Sequence, residues 1–155
     1  MKIQISPVRR IPDMFTVWFK AGPEVDLVID PRNPYGIFFR PGFVEVIYAF
    51  GVLGQTEEAR IVPTLKQWVS TLKAGGEIYL IETDFEYLAR SVVGGDLKLE
   101  EFNSDFRQTT YLSPEKISKY LEEVGFPIGE QKEWYDPPAF KKHHFEKIFS
   151  GIKKK

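Results

Sequence analysis

The stretch TLKAGGEIYLIETDFEYLARSV, Thr71 to Val92, reads as the end of a helix, a glycine turn, a buried strand and the start of a new helix. Its Ile78–Ile81 run is almost continuously apolar, which suits a central parallel strand covered on both faces. Just upstream, Val62, Leu65, Val69 and Leu72 fall at i, i+3, i+7 and i+10, with Trp68 broadening the stripe. Pro63 is tolerated in a first turn, so the spacing predicts a helix beginning near Ile61 and stopped by Gly75 and Gly76. Asp84 reads as the cap of the next helix. Its Phe85, Leu88, Ala89 and Val92 repeat the helical spacing until Gly94 and Gly95 end it.

Working outward, short apolar runs at Lys2–Ile5, Phe15–Phe19, Val25–Ile29 and Val44–Phe50 read as further strands, several of them bounded by Pro or Gly. A third helix carries a full set of start and stop signals. Ser113 caps it, Pro114 takes the first helical position, Ile117, Tyr120, Leu121 and Val124 share one face, and Gly125 follows. A strand around Gly129–Trp134 and the alternating stretch Phe145–Ile152 are expected to pair as an antiparallel hairpin at the sheet edge. Strands alternating with helices point to an α/β three-layer sandwich, Rossmann-like, with a mostly parallel sheet. Only nine residues, Ser6 to Met14, separate the first two strands, where a parallel crossover with its helix takes at least about 10–12. The first crossover helix is therefore expected to be reduced or missing.

A chain of 155 residues suits one domain, taken as 1–155, and its 43% hydrophobic content excludes a disordered chain. A net charge of −1 gives no bias toward nucleic acid, and Lys153–Lys155 reads as a solvated tail. The absence of cysteine excludes disulfides, thiolate metal sites and a cysteine nucleophile. With no apolar run long enough for a signal peptide or a membrane span, a soluble cytoplasmic protein is expected.

Few residues carry chemistry by themselves. Glu82, Thr83 and Asp84 sit at the carboxyl end of a central strand, where ligands bind in open α/β sheets, so either acid is a candidate base. His143 and His144, adjacent on a strand, point to opposite faces and do not chelate together, so no metal is expected. Trp134, Tyr135, Phe140, Phe145 and Phe149 read as cover for the sheet edge. No Ser-His-Asp set or phosphate-binding loop emerges.

With this order of elements, the chain resembles the class I S-adenosylmethionine-dependent methyltransferases, in particular a small branch with a shortened front end. The resemblance rests on VDLVIDPRNPY (25–35), FVEVIYAFGVLGQ (43–55), LKAGG with its following strand (72–81), and YLSPEKISKYLEEVGF (111–126). It implies S-adenosylmethionine as cofactor, held beyond the carboxyl ends of the strands. Ser6 and Pro7, with Val8, would occupy the glycine-rich turn after the first strand. Trp18 falls where an acid accepts the ribose hydroxyls, Asp30 and Pro31 fall at the adenine position, and Ala49, Phe50 and Gly51 offer backbone groups after the fourth strand.

Departures from the family pattern concentrate in those same places. Both glycines of the turn are replaced, an indole stands for the ribose carboxylate, and Gly51-Val52-Leu53-Gly54-Gln55 replaces the family's His-Val-Leu-Glu-His. The sequence therefore reads as a methyltransferase-like protein with an eroded cofactor pocket and no assignable catalytic residue. Two alternatives stand beside it. One is an active methyltransferase with a non-standard pocket, in which Trp18 stacks on the cofactor and a small-molecule acceptor is used. The other is a module that binds a nucleotide, sugar or protein in the same crevice, as a homodimer or beside a partner methyltransferase.

Overall fold

The central strands of the sheet pair in a register that lines up their buried apolar side chains. The computed structural model describes residues 1–5, 13–18, 21–28, 39–83, 85–95, 110–126 and 146–153. Strands β1 (Lys2–Ile5), β2 (Phe15–Trp18), β3 (Leu27–Val28), β4 (Val44–Phe50), β5 (Leu72–Thr83) and β6 (Glu146–Ile152) form one sheet in the order β3-β2-β1-β4-β5-β6. The first five are mutually parallel, and β6 runs antiparallel to β5. This is the doubly-wound order with its reversal between β1 and β4. The other strand of the expected terminal hairpin, Gly129–Trp134, lies outside the described residues, as do most of Ser6–Met14 and the cap Asp84.

Strand alternation sorts the side chains into two faces. On one face Ile5 stands beside Val17 and Ala49, Ile3 beside Ile47, and Ile47 and Ala49 beside Ile78 and Leu80. Ile61, Leu65 and Trp68 of helix α1 (Glu58–Thr71) and Ile117 and Leu121 of α3 (Pro114–Glu123) close over these residues as a single core. The opposite face carries Thr16, Gln4, Tyr48 and Tyr79 in one transverse row, with Phe50 and Ile81 beside the tyrosines. Tyr48 and Tyr79 stack at 4.7 Å and 9°.

Three expectations are corrected. Helix α1 begins at Glu58 rather than near Ile61, which puts Pro63 in its interior and leaves the Ala59 carbonyl without its usual N–H donor. Its buried stripe is Ile61, Thr64, Leu65, Trp68 and Thr71, one residue round from the Val62/Val69 line, so Trp68 sits at the centre of the stripe and not at its margin. In α2 (Phe85–Val93), Phe85 and Val92 are half-buried as expected, but Ala89 is exposed and Ser91 buried in its stead.

Gly75 and Gly76 also do not stop the helix, which ends at Thr71; they lie within β5. Between the pairs Val44–Leu72 and Val46–Glu77, β4 advances by two residues and β5 by five, so Lys73–Gly76 is a bulge within the strand. Gly75 takes φ +76°, and a Cβ on Gly76 would stand 2.9 Å from the Lys73 carbonyl and 3.1 Å from that of Glu45. Lys153 pins the bulge from the other side: its N–H donates to Gly76 O (2.8 Å), its carbonyl accepts from Gly75 N (2.9 Å), and its ammonium donates to Leu72 O (2.6 Å).

The carboxyl end of α2 and both ends of α3 match the sequence. Gly94 N–H donates to the Arg90 carbonyl, Gly95 adopts φ +81°, Ser113 Oγ accepts from Lys116 N–H (3.3 Å), and Gly125 adopts φ +72°. No helix among the described residues is long and apolar enough to cross a membrane.

Candidate functional site

In a sheet of this order, ligands bind beyond the carboxyl ends of the strands, at the reversal between β1 and β4. The described groups at that edge are Ile5, Trp18, the segment Phe50–Thr56 and the Glu82–Thr83 end of β5. Ser6, Pro7, Asp30 and Pro31 lie outside the described residues.

Trp18 ends β2 opposite Val28, and its side chain is 9% exposed. It shares its face with Thr16, whose hydroxyl is buried and finds no hydrogen-bond partner among the described residues. The Thr16 N–H is held instead by the Asp26 carboxylate at 2.7 Å. That acid lies just before β3, at the amino end of the sheet, away from the crevice.

After β4 the chain turns through Gly51, at φ +60°, into a short 3₁₀ turn, Leu53–Gln55. Ala49 is fully buried on the helix-covered face, its backbone paired with β1 and β5 alike, and Phe50 is 7% exposed beside Ile81. Gly51 N–H donates to Ile81 O at 2.8 Å. The Glu82 carboxylate, 1% exposed, accepts from Leu53 N–H (2.9 Å) and Gly54 N–H (3.2 Å). Gln55 Nε2 donates to Gly51 O, Thr56 Oγ1 to Val52 O, and Thr56 N–H to Leu53 O. Thr110 completes the set, its N–H donating to Gly54 O (3.0 Å) and its hydroxyl to Thr56 O (2.5 Å). Much of the polar backbone of this segment is thus engaged by the protein itself, and Glu82, a candidate base from the sequence, acts as the anchor of the turn.

Among the described residues, five groups have displaced titrations. Lys73 holds the Glu45 carboxylate below its ordinary value, and Lys116, followed by Tyr120, does the same for Glu58. Burial first and Glu77 second push Tyr48 up, and burial followed by a hydrogen bond to Glu77 raises Tyr79. Burial and Glu58 push Tyr120 up to about 12. All five move away from neutral pH, the opposite of what acid–base catalysis asks.

One part of this edge was not singled out from sequence. Thr110, Tyr111 and Leu112 lead into α3 as an extended segment, with Thr110 5% and Leu112 1% exposed and Tyr111 61% exposed between them. The Phe85 ring backs Tyr111 at 4.3 Å and 39°, and Phe85 N–H donates to Leu112 O. The alternation of Thr110-Tyr111-Leu112 before the Ser113 cap was the available signal.

No protein-family model and no curated protein matches the chain. Solved structures do. A chain in the complex containing the Haloferax volcanii Trm112 methyltransferase activator aligns over 99% of this chain and 81% of its own length, at 13% identity and a TM-score of 0.64. Burkholderia thailandensis 1,6-didemethyltoxoflavin-N1-methyltransferase, with S-adenosylhomocysteine bound, aligns over 92% of this chain and 61% of its own, at 10% and 0.61. An S-adenosylmethionine-dependent methyltransferase from Thermotoga maritima aligns over 84% and 65%, at 15% and 0.57. The chain therefore has the class I S-adenosylmethionine-dependent methyltransferase fold, and it spans under two thirds of the length of the last two of these proteins.

Proposed function

We propose that this chain is a single-domain methyltransferase homologue whose S-adenosylmethionine pocket is eroded and which works by binding a partner rather than by transferring a methyl group. The observation that carries the reading is Trp18. In this fold the sulfonium cofactor brings its own activated methyl group, so the protein's task is to hold and orient it. An acid at the end of β2 is the family's ribose acceptor, and here that position holds a nearly buried indole. The segment after β4 supports the same reading, because Glu82, Gln55, Thr56 and Thr110 engage the Leu53 and Gly54 N–H groups and the Gly51, Val52, Gly54 and Thr56 carbonyls. On this reading the cofactor's usual pose lacks its ribose acceptor.

A protein partner is supported by the Haloferax volcanii neighbour, which comes from a complex between a methyltransferase activator and a putative methyltransferase. A thermal-shift assay tests the reading, because a ligand that binds only the folded state raises the melting temperature. Saturating S-adenosylmethionine and S-adenosylhomocysteine are expected to leave the melting temperature unchanged. A rise of several degrees with either would overturn the proposal.

A further inference from the structure

We infer that Tyr111 and Phe85 form a stacking site for a planar aromatic ring, at the carboxyl edge of the sheet beside the turn that follows β4. The inference goes beyond the reading that this edge no longer holds S-adenosylmethionine and is argued from the ring pair itself.

The first argument is rigidity. A lone exposed tyrosine needs no explanation, because much of any protein surface is apolar. Tyr111, however, is 61% exposed between two residues that are fixed. Thr110 on one side is tied by its N–H to Gly54 O and by its hydroxyl to Thr56 O, and is 5% exposed. Leu112 on the other side is in the main core, and its carbonyl accepts from Phe85 N–H at 3.2 Å. Ser113 then caps α3. The backbone on both sides of the tyrosine is therefore set before any ligand arrives, and ordering a ring that is already held costs little on binding.

The second argument is geometry. Phe85 supports the tyrosine ring at 4.3 Å with a 39° tilt, and 61% of Tyr111 still faces solvent. A ring pair with one side backed and the other open can accept a further ring in offset stacking. The third argument is chemical. Glu82, Gln55, Thr56 and Thr110 engage six of the backbone hydrogen-bonding groups of the neighbouring turn, the Leu53 and Gly54 N–H groups and the Gly51, Val52, Gly54 and Thr56 carbonyls. Recognition here falls to ring faces rather than to polar readout, as in stacking platforms that tolerate many bases. The occupant is accordingly a planar, uncharged heterocycle, free or carried on a larger molecule.

Caffeine is a suitable probe, being planar, uncharged and very soluble. Titrated into the intact chain and followed by NMR, it is expected to shift the Tyr111 ring protons with a dissociation constant in the millimolar range. Tyr111→Phe should bind within about twofold of the parent, and Tyr111→Ala should lose roughly tenfold or more. Cyclohexanol, which is not planar, should leave the ring protons unmoved. The inference is overturned if caffeine shifts nothing, or if Tyr111→Ala binds it as the parent does while melting at the parent's temperature. A parallel titration with S-adenosylhomocysteine separates the two proposals: tight binding there, with the caffeine response intact, overturns the eroded pocket and leaves this site standing.

Discussion

The Glu82 carboxylate at the end of β5 accepts the Leu53 N–H at 2.9 Å and, through its second oxygen, the Gly54 N–H at 3.2 Å. This contact joins two neighbouring strands at the edge where ligands bind in such sheets. Buried donors left without a partner cost about 1–3 kcal/mol each. Glu82→Ala is therefore expected to lower stability by about 2–5 kcal/mol in urea denaturation, and Glu82→Gln, which keeps one acceptor, by about half as much. A loss below ~0.5 kcal/mol for the alanine variant would show that the turn does not depend on this carboxylate.

Thr16 makes the opposite prediction. Its hydroxyl is buried with no partner among the described residues, so it contributes desolvation cost without a hydrogen bond. Thr16→Val is expected to be neutral or to stabilise by up to about 1 kcal/mol. Clear destabilisation in the same denaturation experiment would mean that the hydroxyl is satisfied in solution.

The two glycines of the β5 bulge should respond differently. At Gly76 an added Cβ meets backbone oxygens at 2.9 and 3.1 Å, which cannot move aside as a side chain would. Gly76→Ala should cost about 1–3 kcal/mol through strain. At Gly75 the space is open and only the left-handed φ of +76° resists, so Gly75→Ala should cost roughly 1–2 kcal/mol and Gly75→Asn less. A negligible cost of alanine at Gly76, or Gly75→Asn costing more than Gly75→Ala, would contradict this bulge geometry.

Glu58 receives Lys116 Nζ at 2.6 Å and the Tyr120 hydroxyl at 2.8 Å, which joins α1 to α3. The folded carboxylate titrates below its ordinary value, so its contribution is present above the unfolded pKa and is lost as pH falls through the lower folded one. Tyr120 is the mirror case. Its folded pKa is raised to about 12, so the stability tied to it is complete below pH ~10 and is lost as pH rises toward the folded value. Tyr120→Phe should flatten the alkaline limb of a melting-temperature profile taken from neutral pH upward. An unchanged limb would remove this linkage.

The sequence exposed the scaffold well because the scaffold is made by packing. Val44–Phe50 and Lys2–Ile5 match their strands to the residue, and the Ser113–Gly125 helix signals are met because caps and periodicity act locally. The α1 start was missed because Pro63 is a strong local signal, and tertiary packing of Ile61, Leu65 and Trp68 outweighed it. Glu82 read as a candidate base because nothing local indicates that its carboxylate reaches residues 28 and 29 positions earlier. The Thr110–Gly54 contact is hidden for the same reason. Trp18 was readable in advance, since a side chain at a known strand end declares its own chemistry.

The central claim is that this fold persists here without a working cofactor pocket. Calorimetric titration of the purified chain with S-adenosylhomocysteine tests it most directly. The account predicts no one-to-one isotherm, with any affinity weaker than about 100 μM, or ~5.5 kcal/mol. A one-to-one isotherm tighter than that would contradict it and restore Trp18 to the role of a cofactor contact.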